Sequence, residues 1–197
     1  MADGESSGGS KKPMCVIVTG RPGSGKTTFS KRLAKQLWLP TISRDEIKEG
    51  YVNTHGVKHD QLPPDSNRLV SNLFLELVCQ CLAGRVSVII EAAFQHKVWA
   101  SMMPRIRELA VPLFVVCDID ATVAAKRHLQ RGMDAPRREF FHGDRRVTTF
   151  RETGQFLPPG EYLEPDFDVP TLHVSTEGEY SPTVDVVAEW ILGARDL

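Results

Sequence analysis

The residues that could do chemistry begin at Gly20-Arg21-Pro22-Gly23-Ser24-Gly25-Lys26-Thr27, followed by Thr28. Glycine, four residues, then Gly-Lys-Thr is the spacing of a loop that wraps a polyphosphate. Such a loop turns backbone N–H groups inward, so side chains must leave the way and some φ angles must be positive. Glycine meets both demands. A helix starting at Lys26 would aim unpaired N–H groups and a positive dipole end at the same phosphates. Lys26 would then reach the β- and γ-phosphates, and the Thr27 hydroxyl is suited to ligate Mg²⁺. A phosphoryl group also needs an acceptor, a carboxylate to take its proton, and cations over the transferring group. Asp45 is the best candidate base, Glu91 the best acidic group on the metal side, and Arg131 and Arg127 the best cations.

These residues need elements to hold them. Met14–Thr19 is an apolar, β-branched run that reads as a buried parallel strand, and Phe29, Leu33 and Leu37 mark one face of the helix after the loop. Leu39–Ser43 reads as a weak second strand, Arg44–Glu49 as a short helix opened by Ser43 or Asp45, and Tyr51–Pro64 as a loop. Asp65 or Ser66 caps a helix with a broad apolar stripe (Leu69, Val70, Leu73, Phe74, Leu77, Val78, Cys81, Leu82), and Gly84 ends it. Val86–Ile90 is a third strand with Glu91 at its end, and His96–Ala110 a helix that Pro104 interrupts or kinks. Leu113–Cys117 is a fourth strand, and Asp120 caps a helix from Ala121 to about Arg131. Thr171–Val174 is a fifth strand, and Ser181-Pro182 starts the last helix, whose buried face is Val184, Val187, Ile191 and Leu192. Strands alternating with helices imply an α/β fold, a parallel sheet covered on both faces. Ligands then gather at the carboxyl ends of the strands, where the glycine loop, Ser43–Lys48, Glu91 and Asp118/Asp120 all fall.

Composition bounds the partners. The 197 residues suffice for one domain, expected over 14–197, with residues 1–13 a Gly/Ser-rich flexible tail and about 132–159 an arginine-bearing lid. With 24 Lys plus Arg against 25 Asp plus Glu, the net charge of −1 gives no global pull toward nucleic acid or an anionic membrane. No apolar run approaches membrane-spanning length and the first residues carry no apolar signal core, so a cytoplasmic protein is expected. Cys15, Cys79, Cys81 and Cys117 show no zinc spacing and read as reduced, buried thiols. His55, His59, His96, His128, His142 and His173 read as surface or packing residues, and Trp38, Trp99 and Trp190 as core. Asp120 reads as a cap only. Arg137, Arg138, Arg145 and Arg146 either line a lid or form a solvated face with Glu139 and Asp144.

Three segments together resemble the small P-loop kinases: the glycine loop, Ile42-Ser43-Arg44-Asp45-Glu46-Ile47-Lys48, and Lys126-Arg127 through Arg131-Gly132. Within them the chain is most similar to the branch of polynucleotide 5′-hydroxyl kinases, zeta-toxin-like kinases and chloramphenicol phosphotransferase. The resemblance implies a three-layer P-loop NTPase fold, with strands in the order 2-3-1-4-5. It implies ATP with Mg²⁺ held through Thr27 and Glu91, Asp45 as general base, Arg44 and Lys48 on the acceptor, and Arg131 as the lid arginine. Adenine would lie near Ser175–Gly178. The family more often has Arg where Lys48 stands and Asp where Glu91 stands. The apolar Ala92-Ala93-Phe94 after Glu91 suggests a small, weakly charged acceptor. The expected activity is transfer of the γ-phosphate to a hydroxyl of a small-molecule or nucleotide-like acceptor. The alternatives are a 5′-hydroxyl polynucleotide kinase and an ATP-binding regulatory or toxin-like module with slow hydrolysis. A GTPase switch is not expected, because the chain lacks Asp-x-x-Gly after a strand and Asn-Lys-x-Asp.

Overall fold

The computed structural model describes residues 11–194. Five parallel strands form one sheet in the order β2-β3-β1-β4-β5, the order the resemblance implies. Strand β1 (Met14–Thr19) is wholly buried at the centre, between β3 (Val88–Glu91) and β4 (Val111–Asp118). The outer strands are β2 (Thr41–Ser43) and β5 (Thr171–Ser175). Register places Val18 beside both Glu91 and Val115, and Ser43 beside Glu91, so the carboxyl ends of β1, β2 and β3 finish close to level with one another.

Successive residues of a strand point to opposite faces, and β1 divides its side chains accordingly. Cys15 and Ile17 join Phe74, Val78, Trp99, Ile106 and Phe114, beneath helices α3 (Ser66–Ala83) and α4 (His96–Leu109). Met14, Val16 and Val18 join Phe29, Leu33, Leu113, Val115, Val187 and Ile191, beneath α1 (Lys26–Leu37) and α8 (Val184–Ala194). Two apolar layers thus clamp the sheet, each fully buried large side chain contributing about 1.5–3 kcal/mol. The three-layer expectation holds.

Several local expectations are corrected. The helix after β2, α2, runs Arg44–His55, well past Glu49. Val52 is buried and anchors the extra turn, and the left-handed Gly56 ends it. Helix α4 continues through Pro104, which is exposed. Leu69, Leu73 and Leu77 of α3 are exposed, since only the Val70-Phe74-Val78-Leu82 row faces the sheet. Trp38 is 92% exposed, because the chain leaves α1 through a left-handed residue there (φ 55°) and turns the indole outward. Trp99 and Trp190 do pack on the core. Ser181 bridges to Ser175, and α8 starts only at Val184, with the Thr183 hydroxyl accepting from the Val186 N–H.

Helix α5 (Ala121–Asp134) is capped as expected: Asp120 Oδ1 accepts from the Thr122 and Val123 N–H groups at 2.9 and 3.0 Å. The following segment holds two further helices, α6 (Arg138–Phe141) and α7 (Arg145–Thr153), which sequence patterning does not disclose. Of the expected tail, residues 1–10 lie outside the described residues. Lys12 and Pro13 are held, by Lys12 Nζ donating to the Glu108 carbonyl at 3.1 Å and Val111 N–H donating to the Pro13 carbonyl at 2.9 Å. Among the described residues, no helix is long and apolar enough to cross a membrane.

Candidate functional site

The loop between β1 and α1 turns through three glycines with positive φ: Gly20, Gly23 and Gly25. At Gly23 (φ +88°) a Cβ would overlap the Ala124 carbonyl oxygen, so the loop is packed closely against α5 at a residue with left-handed backbone. Only glycine combines that conformation with that approach. Ser24 N–H donates to the Arg21 carbonyl and Phe29 N–H to Gly25, each at 3.1 Å. Thr176 Oγ1, just past β5, donates to the Ser24 carbonyl at 2.7 Å and fixes the loop from the far side.

Lys26 is only 6% exposed, and its ammonium donates to the Arg21 carbonyl at 3.2 Å. Burial pulls its pKa down, and the nearby Glu91 carboxylate opposes that. Glu91 is itself 4% exposed at the end of β3. Its Oε2 accepts from Ser43 Oγ at 3.0 Å and from Thr27 Oγ1 at 3.3 Å. Burial pushes the Glu91 carboxyl up, against the pull of Lys26 and the Ser43 hydroxyl. Burial disfavours the charged form of a carboxylate, and an added cation beside it would favour that form.

These groups open into a cleft of about 450 Å³. From α2 it receives Asp45, Lys48 and Glu49; from α5, His128 and Arg131; from α6 and the turn after it, Arg138 and His142. The Asp45 side chain is half exposed and lies 3.5 Å from Arg44 Nη1. Arg44 is held in turn by Asn67, through Nη2 donating to Oδ1 at 3.1 Å. Burial lowers the Lys48 pKa, with Arg44 adding to the effect, and burial lowers that of Arg131, with Arg138 adding to it. Arg131 and Arg138 are thus like charges facing one cavity. Among the described residues neither side chain is paired with a carboxylate.

A second cavity, about 590 Å³, lies on the other side of the loop. Gly25 and Thr28 line both. Its walls include Arg32, Arg127, Thr176, Gly178 and Tyr180, the neighbourhood where adenine is expected. Arg127 belongs here. Its guanidinium donates to the Thr176 and Glu177 carbonyls at 2.8 Å, so it is parted from Arg131, with which sequence reasoning grouped it.

The structure therefore brings together Pro22, Gly23, Gly25, Lys26, Thr27, Thr28, Arg44, Asp45, Lys48, Glu91 and Arg131 around one cleft. Gly20 and Ser24 shape the loop from behind it. Arg21 turns away to lie 5.5 Å from the centre of the Tyr162 ring. The apolar Ala92-Ala93-Phe94 run does not make an apolar site: Ala92 and Phe94 pack into the core, only Ala93 reaches the cleft, and the walls are densely charged. Sequence reasoning also missed His128 and His142, whose partners, Asp144 and Glu49, are visible only once the chain is folded.

A sheet ordered 2-3-1-4-5, with a glycine loop between the central strand and its helix, defines a P-loop NTPase fold of the kinase kind. The AAA domain family (AAA_33) matches residues 15–152, and the chain belongs to it. Among solved structures it is similar to a protein provisionally described as a kinase from Chloroflexus aurantiacus J-10-fl. That match has a TM-score of 0.74 at 23% identity, covering 93% of this chain and 99% of the other. It is also similar to the Mycobacterium tuberculosis APS kinase in complex with AMPPNP and APS (TM-score 0.59, 13% identity, 95% and 99% covered). A third match is the Pnkp1/Rnl/Hen1 RNA repair complex (TM-score 0.55, 21% identity, 78% and 50% covered). At these identities the likeness is one of fold. None of the curated proteins matches the chain.

Proposed function

We propose that this protein is an ATP-dependent kinase that transfers the γ-phosphate to a hydroxyl of a small-molecule or nucleotide-like acceptor. The observation that carries this reading is the single cleft. Lys26 and Thr27 of the phosphate loop face Asp45, Arg131 and Glu91, which come from three other parts of the fold. In this reading the triphosphate lies along the loop, with the base in the cavity beside Arg127 and Thr176. Residues from Met14 onward act as one kinase unit, and 132–159 closes over the cleft.

Thr27 Oγ1 and Glu91 Oε2, 3.3 Å apart, supply the hard oxygen atoms that Mg²⁺ takes. Among the described residues no group of three His, Cys, Asp or Glu side chains could hold a metal alone. That fits an ion which keeps waters and binds through substrate phosphates. When bound, the ion would neutralise charge on the β- and γ-phosphate oxygens. Asp45 accepts the proton of the acceptor hydroxyl, and its exposed position on α2 leaves it free to meet one. Lys26 and Arg131 stabilise negative charge on the transferring group. Arg44 and Lys48 hold the acceptor.

Phosphorylation of a polynucleotide 5′-hydroxyl is the second reading, favoured by the cations Arg44, Lys48, Arg131 and Arg138 about the cleft. Mg·ATP should raise the thermal midpoint by mass action. Lys26→Ala should remove that shift and abolish transfer while the protein stays folded, and Thr27→Ala should shrink the magnesium-dependent part. A melting curve that ignores ATP, ADP and GTP alike would refute the reading.

A further inference from the structure

The lid segment is joined to the acceptor side of the cleft by contacts that the transfer reaction does not itself require. His142 follows α6 and sends Nε2 93 residues back along the chain, to lie 2.7 Å from Glu49 Oε1 on α2. Glu49 stands one helical turn after Asp45, and all three residues line the cleft. Three further ties run beside this one. The His59 N–H donates to the Phe140 carbonyl at 2.9 Å. Lys58 Nζ lies 3.1 Å from Glu139 Oε1, and Glu139 also pairs with Arg151 of α7. At Gly143 a Cβ would come within 2.6 Å of the His59 ring, so that ring sits directly on the chain beside His142. On its other flank the lid holds α5. His128 Nδ1 lies 3.0 Å from Asp144 Oδ2, and Val147 packs where a Cβ on Gly132 would be.

Resting on the kinase reading above, we propose that Glu49 and His142 are a positioning pair that makes the acceptor helix and the lid one mechanical unit. The lid spans two helices: α5, which carries Arg131, and α2, which carries Asp45. It carries Arg138 itself. Movement of the lid must then move the C-terminal half of α2, and anything that fixes α2 must favour the lid position that brings Arg138 to the cleft. Coupling of this kind is reciprocal. A nucleotide at the loop orders the acceptor wall, and an acceptor against α2 orders the arginine roof. Of the four ties, Glu49–His142 is the one with both partners in the cleft wall, so it is where an acceptor would be felt.

Hydrogen exchange followed by mass spectrometry tests this on the full-length protein, using AMPPNP with Mg²⁺ as the probe. Without nucleotide, His142→Ala should raise exchange severalfold in both 138–153 and 49–61, and leave the strands unchanged. His142→Gln keeps a donor for Glu49 and should restore most of the protection, which loss of packing alone would not predict. In the wild type, the probe should slow exchange at 49–61 as well as at 20–28, and His142→Ala should abolish the slowing at 49–61 only. Unchanged 49–61 exchange in nucleotide-free His142→Ala would overturn the proposal, as would equal effects of Ala and Gln. Absence of protection at 20–28 in the wild type would instead overturn the kinase reading, and the nucleotide-free arm would still decide the coupling.

Discussion

Three glycines predict three different outcomes when each is replaced by alanine, because the structure gives each a different backbone and different space. Gly23 has φ +88°, and its Cβ would overlap the Ala124 carbonyl. Left-handed backbone costs a non-glycine residue about 1–2 kcal/mol. Separating the loop from α5 adds a strain of the same order, as overpacking does, about 1–3 kcal/mol. The sum is about 2–5 kcal/mol. For a chain of this size each kcal/mol lowers Tm by about 2–4 °C, so Gly23→Ala should melt about 4–20 °C lower. Gly25 has φ +83° but its Cβ would meet nothing closer than Thr176 Cβ at 3.8 Å. Gly25→Ala should cost only the backbone part, about 2–8 °C, yet it places a methyl where both cavities meet and should lose the ATP-induced shift. Gly50 lies inside α2, with nothing within 4 Å of an added Cβ. Gly50→Ala should gain about 0.5–1 kcal/mol, a rise of about 1–4 °C, with ATP binding intact. Differential scanning calorimetry of the three variants, with and without Mg·ATP, reads all of this. Gly23→Ala melting with the wild type, or Gly50→Ala melting below it, would refute the reasoning.

Asp45→Asn should lower kcat by roughly a hundredfold or more, while the dissociation constant for ATP barely moves, since asparagine keeps the shape but cannot take the proton. Full activity in that variant would move the base role to Glu46, Glu49 or Glu91. The four cysteines should divide under native iodoacetamide labelling. Burial pushes the Cys117 thiol up to about 12 and Cys15 higher still, so both stay protonated and shielded across the physiological range. Cys79 and Cys81, half-buried on α3, should react first, as peptide mass mapping would show.

What the sequence discloses here follows the range over which its signals act. The glycine loop, β1 and α1 are local patterns: Gly-Lys-Thr opens a helix, and six apolar residues before it make a strand. Their boundaries agree with the structure. Glu91 is legible as the last residue of an apolar run. Helix α2 is half legible, because the stretch from Tyr51 shows no apolar period and the turns after Glu49 depend on Val52 finding the core. Helices α6 and α7 are not legible, since their arginine-rich stretch offers only Val147 as a buried residue. The histidine pairs could not be read by spacing, because Glu49 and His142 meet only through the lid. Trp38 misleads for a related reason: one left-handed residue decides which way a large apolar side chain points.

The central claim is that this cleft moves phosphate from ATP to an acceptor hydroxyl, and transfer itself measures it most directly. The protein is incubated with γ-labelled ATP and Mg²⁺ against a library of hydroxyl-bearing metabolites and 5′-hydroxyl oligonucleotides, with Lys26→Ala in parallel. The account predicts label on an acceptor with the wild type and none with the variant. Label that appears equally with Lys26→Ala, or label released only as inorganic phosphate across the whole library, would contradict it.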